Sequence, residues 1–305
     1  IYSYRGVNKM KILIIGGTNI DIYGQVNDKL IIQDSNNGKV DIMIGGVGKN
    51  IAENLARLDL DVTFATALGN DSFGKEAKTY LSNLGVNLIV AESANKTPIY
   101  LAVFDEQQDM FVGINDMSAV DDLNENFLSN QIELNKYDLI VIDANLSEET
   151  IEYICNNTNK PIYAEAISTK KVMKFKPYLD KITAIKCNFF EARKLSGSTH
   201  ATIKEIMQDI YLLGVKEVYL TDGGNGSYHF QNEILKHQKS FNMPIVNASG
   251  AGDAFFSGVI YALINQKPAL IYGNALASIT LMSRYSNNPH LSRNILERMV
   301  KENEN

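Results

Sequence analysis

Two cysteines, Cys155 and Cys187, are all that the 305 residues contain. That is too few for a disulfide framework, and their separation matches no metal-ligand spacing. The four histidines, His200, His229, His237 and His290, form no ligand pair either. A reducing, cytoplasmic setting is therefore expected. Basic runs are also missing: the net charge is −6 with acids and bases interspersed, so no stretch can track a nucleic-acid backbone. The apolar runs Ile12 to Ile15 and Leu139 to Ile142 have strand length, far short of the roughly 20 residues a membrane-spanning helix needs. No signal peptide, internal repeat or low-complexity segment is visible. Residues 1–10 read as an extension, a tag or the remnant of an upstream segment.

What the chain does have is alternation. From Lys11 onward short β-rich runs alternate with helically periodic segments, which predicts an α/β fold with a mainly parallel sheet covered by helices. Core strands are expected at Lys11 to Ile15, Val62 to Ala67, Leu88 to Ala91, Leu139 to Asp143, Pro161 to Glu165, Ala184 to Cys187 and Glu217 to Thr221. Helices are expected at Gly48 to Leu58, Gly74 to Leu84, Ser147 to Asn157, Phe189 to Leu195, Thr202 to Leu213, Gly252 to Ile264 and Pro268 to Ser283. Two stretches, about 22–44 and 99–116, read as consecutive strands with no helix between them. Such strands must pair with one another, and a small sheet beside the active-site edge would serve as a lid. Residues 11–305 are expected to form one domain carrying that lid.

Several motifs carry chemistry. Ser249-Gly250-Ala251-Gly252-Asp253 opens an apolar helix with small residues, so an anion can approach the first-turn N–H groups. Asp253 stands in that turn, suited to accept a hydroxyl proton; an acid decorating a helix start reads the same way. Thr221-Asp222-Gly223-Gly224-Asn225-Gly226 joins two strands. Its glycines permit an N–H array for a nucleotide phosphate, or a plain hairpin loop. Gly45-Gly46-Val47-Gly48-Lys49-Asn50 lets backbone approach a polyhydroxylated ligand, with Asn50 offering both donor and acceptor. Asn188-Phe189-Phe190-Glu191 places a carboxylate near metal-bound phosphates or closes a capping box. Gly16-Gly17-Thr18-Asn19-Ile20-Asp21 lacks Gly-x-Gly-x-x-Gly and a helix directly after it, which rules out a Rossmann dinucleotide site. Asn19 and Asp21 remain hydroxyl partners at the carboxyl edge of the sheet.

In this order the motifs resemble the ribokinase-like (PfkB) carbohydrate kinases over nearly the whole chain. The resemblance implies a three-layer αβα core with a β-sheet lid, ATP as donor, Mg²⁺, and in many members a monovalent cation such as K⁺. It implies Asp253 as the base, with Gly250, Ala251 and Gly252 as the anion hole. Lys186, Asn188, Thr221, Gly223 and Gly226 would border ATP, Asn274 would lie near the adenine, and Glu191 with Asn188 would serve the metal through water. The family often has Asp-Thr-Gly-Ala-Gly-Asp where this chain has Ala248 and Ser249 at the first two places, so a cation site relying on that acid lacks its carboxylate. Cys187 replaces a frequent proline, and Glu165 a shorter acid or amide.

Within the family, Gly45 to Ala56, Ile114 to Met117, Asp143 to Glu149 and Asn287 to Pro289 resemble the pseudouridine kinases. That implies a nucleoside substrate, with Asn19, Asp21, Gly45, Gly46 and Asn50 against the ribose and Asn115, Asp116 or Asn145 reading the base. Another sugar or purine nucleoside kinase is an alternative, as is a non-catalytic ligand-binding regulator. No nucleic-acid or membrane partner is expected, and exposed lid edges would favour a homodimer.

Overall fold

The computed structural model describes residues 10–198 and 202–304; all but the last residue of the extension read at 1–10 lies outside them. The chain opens with β1 (Lys11–Ile15), β2 (Asn19–Val26), β3 (Gly38–Gly45) and α1 (Val47–Arg57). It continues through β4 (Asp61–Gly69), α2 (Ser72–Asn83), β5 (Asn87–Ser93), β6 (Ile99–Phe104), β7 (Met110–Asp116) and α3 (Glu125–Gln131). Then come β8 (Leu139–Asp143), α4 (Glu148–Asn157), β9 (Ile162–Glu165), β10 (Ala184–Asn188), α5 (Phe189–Ser196) and α6 (Ile203–Leu212). The last elements are β11 (Glu217–Thr221), β12 (Ser227–Gln231), β13 (Ile234–Gln238), α7 (Ala251–Ile264), α8 (Ala269–Leu281) and α9 (Arg293–Asn303).

The large sheet runs β13-β12-β11-β10-β9-β8-β1-β4-β5. It is parallel from β5 to β11, and β12 and β13 close it as an antiparallel edge. The residues of β1 show why helices must cover both faces. Ile12, Leu13, Ile14 and Ile15 are all buried, and successive side chains point to opposite faces. Leu13 and Ile15 enter one core with Ile151, Ile154, Leu195 and Ile210 from α4, α5 and α6. Ile12 and Ile14 enter another with Ile51 and Leu55 from α1 and Phe255 and Val259 from α7. Three layers result.

The chain reaches β4 and β5 on one side of β1 and returns on the other side at β8. The crevice beyond the carboxyl ends of β1 and β8 is therefore a topological switch point, where open α/β sheets bind ligands. Asp143, at the end of β8, ties it together. Its Oδ2 accepts from the N–H of Gly17 and of Gly48, each at 2.9 Å, and its Oδ1 from the N–H of Asn145 at 2.8 Å.

A second sheet, β3-β2-β6-β7, is formed by the two stretches without helices. Its inner strands pair parallel, β2 with β6, and its outer strands antiparallel. β2 starts at Asn19, earlier than the expected 22, so Asn19 and Asp21 belong to the small sheet. Expected boundaries elsewhere hold to within a residue or two. α3, α9 and β13 are additions that the expected elements did not include. α9 packs Leu296, Met299 and Val300 beneath a Ser292 cap, a helical spacing present in the sequence.

Candidate active site

The start of α7 is shaped by what surrounds its glycines. Gly250 caps the helix in the left-handed region, φ 78°, and a Cβ there would stand 2.1 Å from the Ser286 carbonyl oxygen. Only glycine fits. A Cβ on Gly252 would stand 2.6 Å from Lys186 Nζ, so an ammonium lies against the helix start. First-turn N–H groups find no acceptor within their own helix, which leaves this turn able to receive an anion.

Asp253 faces the opposite way, into a buried polar cluster. Asn50 Nδ2 donates to its Oδ2 at 2.8 Å. Burial is the largest influence on the carboxyl, and with the Glu165 carboxylate it pushes Asp253 up to about 7; Asn50 and Lys186 pull the other way. Lys186 Nζ pairs with Glu165 Oε1 at 2.5 Å. Burial works against the ammonium, but Glu165, Glu191 and Asp253 hold it above the ordinary lysine range. The other Glu165 oxygen accepts the Ile167 N–H at 2.7 Å. This bond holds Ile167 at φ 64°, a conformation a β-branched residue rarely adopts. The longer acid at position 165 thus spans from the bend after β9 to Lys186. Buried Cys187 has its thiol pushed well above the usual range by burial.

On the small sheet, Asn19 Nδ2 donates to Asp21 Oδ1 at 2.6 Å. The absent Cβ of Gly45 makes room for Asp21 Oδ2, and burial raises the Asp21 carboxyl. Gly46, at φ 106°, lies against the Gly17 carbonyl. Tyr23 stands near Asp21 and Ser249, and burial, with the Asp21 charge, raises its hydroxyl above the usual range.

Strand register separates the three base-reading candidates. Met43, Asp21, Tyr100 and Asn115 form one row across β3, β2, β6 and β7, so their side chains share a face. Strands are about 4.8 Å apart, which puts Asn115 about 10 Å from Asp21, across the face from the hydroxyl partners. Asp116 falls in the alternate row with Ile20 and Ile99, and its Oδ1 accepts from the Ser118 N–H and hydroxyl. Asn145 Oδ1 accepts from Lys171 Nζ at 2.6 Å, while its Nδ2 faces Gly17. That amide presents a donor and has its acceptor occupied.

The opposite side of the α7 start opens on a cavity of about 320 Å³, lined by Thr221, Gly223, Gly226, Gly252 and Asn274, with an apolar wall that includes Phe241 and Leu281. Gly223 and Gly226 have φ of 50° and 99°. Asn274 spends its side chain on structure: Oδ1 accepts from Ser227 Oγ at 2.8 Å, and Nδ2 donates to the Lys239 carbonyl at 2.9 Å.

Asn188 and Glu191 close a capping box, with Glu191 Oε2 accepting the Asn188 N–H at 2.7 Å and Oε1 accepting Asn188 Nδ2 at 2.8 Å. With both oxygens engaged, this pair suits a hydrated Mg²⁺ better than direct ligation. A monovalent cation fits less well. Ala248 and Ser249 bring no carboxylate, and Asn247 donates to the Arg284 carbonyl and accepts the Ser249 N–H. Asp143, Glu165, Lys49 and Lys171 are site residues that motif reading left out; each takes at least one partner distant in sequence.

A helix start open to an anion, with a nucleotide-sized cavity on one side and hydroxyl-binding side chains on the other, is the arrangement of a small-molecule kinase. Comparison with known proteins agrees: the pfkB family of carbohydrate kinases matches residues 9–293, and the chain belongs to that family. Pseudouridine kinase of Escherichia coli is 31% identical over 92% of this chain and 93% of its own length. Guanosine-inosine kinase of Exiguobacterium acetylicum is 26% identical over 85% of this chain and 89% of its own. Ribokinase of Thermotoga maritima shares the fold, with a TM-score of 0.86 at 21% identity over 96% of this chain and 99% of that one.

Proposed function

We propose that this kinase transfers the γ-phosphoryl group of ATP to the 5′-hydroxyl of pseudouridine. The observation that carries the reading is the Asp253 carboxylate, buried at the anion-accepting start of α7 and held by Asn50. Asp253 takes the 5′-hydroxyl proton as that oxygen bonds to the γ-phosphorus. The bond from phosphorus to the β–γ bridging oxygen breaks, and ADP leaves. The N–H groups of Gly250, Ala251 and Gly252 receive charge on the transferring group, with Lys186 beside them. Mg²⁺ would neutralise phosphate charge, held through water by Asn188 and Glu191. Thr221, Gly223 and Gly226 border the phosphates, and Asn274 keeps the adenine side in shape.

The ribose lies against Asn19, Asp21, Gly45, Gly46 and Asn50, and the small sheet acts as the lid. Pseudouridine carries one more ring N–H than uridine, and a site that pairs it penalises uridine. Asn115 is the residue we assign to that donor. It shares a face with Asp21, whereas Asp116 stands in the other row and Asn145 has its acceptor engaged. The 31% identity to a pseudouridine kinase supports this acceptor.

An ADP-release screen over pseudouridine, uridine, ribose, adenosine, guanosine and fructose tests the reading. Pseudouridine should give the highest kcat/KM, and preference for guanosine or ribose would overturn the substrate. Asn115→Ala should cut the pseudouridine-to-uridine ratio about tenfold or more; an unchanged ratio removes Asn115 from that role. We also propose a cytoplasmic homodimer that covers the exposed Val40, Ile42, Phe111 and Ile114 on the outer strands of the lid. Light scattering at one-chain mass would refute the dimer.

A further inference from the structure

Asn50 can aid Asp253 only if the correct end of its amide faces the carboxylate. The two ends have nearly the same shape but opposite polarity, so surrounding donors decide the orientation. Asn50 Oδ1 has two neighbours, Lys49 Nζ at 3.3 Å and Ser286 Oγ at 3.2 Å. A hydroxyl can donate or accept and so favours neither orientation, whereas an ammonium only donates. Turned around, the amide would put its NH₂ against Lys49 and its oxygen against Asp253.

Lys49 is itself tightly placed. It is 3% exposed, and its Nζ also donates to Asn287 Oδ1 at 3.0 Å and pairs with Glu53 Oε2 at 2.9 Å. Asn287 returns to the same turn, donating from Nδ2 to the Asn50 carbonyl at 2.9 Å. Glu53 is held from behind by Arg57 Nε at 2.9 Å and by the Tyr80 hydroxyl at 2.7 Å. The ammonium thus has three fixed oxygen partners.

We propose that Lys49 is a positioning residue whose buried ammonium fixes the Asn50 amide with its NH₂ toward Asp253, and so favours the ionised base over the protonated acid. This rests on Asp253 being the base. With Lys49 removed, the amide is free to turn, and its oxygen would then accept a proton held on Asp253, locking the acid form. Glu165, Lys186 and Asp143 bear on Asp253; Glu53 and Asp21 face Lys49, and Arg57 faces Glu53. None of the others points a donor at Asn50 Oδ1 in Lys49's place.

The test is the pH dependence of kcat/KM in wild type, Lys49→Met and Lys49→Arg. Losing a hydrogen bond to a charged group moves such a titration by about one to two pH units. Lys49→Met should therefore carry its acid limb that far upward, losing about five- to fiftyfold at pH 7 and recovering to about half of wild type or more by pH 9. Lys49→Arg, which still donates, should keep the wild-type limb. A Lys49→Met loss that is equal at every pH would overturn the proposal, because misfolding or poor packing lowers the whole profile. If Lys49→Met does not fold, Lys49→Met with Glu53→Gln removes the buried charge on both sides, and its limb is read the same way. A flat wild-type profile would sink the base assignment instead; a wild-type limb unmoved in the variants sinks only the role of Lys49.

Discussion

Asp253 can take a proton only when ionised, so activity should fall on the acid side of neutrality. Burial and the Glu165 carboxylate carry its carboxyl from 3.8 to about 7, which disfavours the charged form by roughly 4 kcal/mol. The opposing pulls, from Asn50 Nδ2 at 2.8 Å and the ammonium of Lys186, are not enough to cancel burial. The sign follows directly. Below pH 7 the free enzyme holds the acid, and about a tenth of it is competent at pH 6; above pH 8 the base dominates. A coupled ADP assay run from pH 5.5 to 9, with coupling enzymes in excess at each pH, should show kcat/KM rising about tenfold per pH unit below 7 and levelling above 8. An acid limb centred between 4 and 5, the range of an ordinary carboxylate, would refute the electrostatic argument. A flat profile would refute the assignment of the base.

Asp253→Asn keeps the shape and removes the base; turnover should fall about 10²- to 10⁴-fold while calorimetry finds ATP binding within about twofold of wild type. Tyr23→Phe removes the hydroxyl beside Asp21 and Ser249, and the acceptor KM should rise about fivefold with a melting temperature within a degree or two of wild type. In Gly258→Ala the new methyl would meet the Tyr272 carbonyl oxygen of α8 at 2.4 Å. Backbone cannot yield as a side-chain tip does, so about 1–3 kcal/mol should be lost despite alanine's better helix propensity, read as a lower denaturation midpoint.

Motif reading singled out Asp253, Gly250 to Gly252, Asn50 and the Thr221 to Gly226 loop because each is marked by a local pattern. Glycine at positive φ, small residues at a helix start and an amide in a first turn are imposed by backbone within a few positions. The same logic exposed the limit at Asn188 and Glu191, where one spacing describes both a capping box and a metal-associated pair; the box forms. Asn115, Asp116 and Asn145 could not be ranked from sequence. Their difference lies in strand register and in Lys171, 26 positions from Asn145.

Alternation of apolar runs was enough by itself to specify a mainly parallel α/β sheet and a helix-free small sheet, while the family came from the resemblance of the ordered motifs to known kinases. The two sheets follow from periodicity and from backbone geometry, which are written along the chain. The electrostatics of the site were decided only in three dimensions. Asn50 meets Asp253 across 203 positions and Lys49 meets Asn287 across 238, and Lys186 reaches the α7 start from β10. Burial sets the proton affinity of Asp253, and burial belongs to the packed molecule, since no residue is desolvated until its distant neighbours have closed around it.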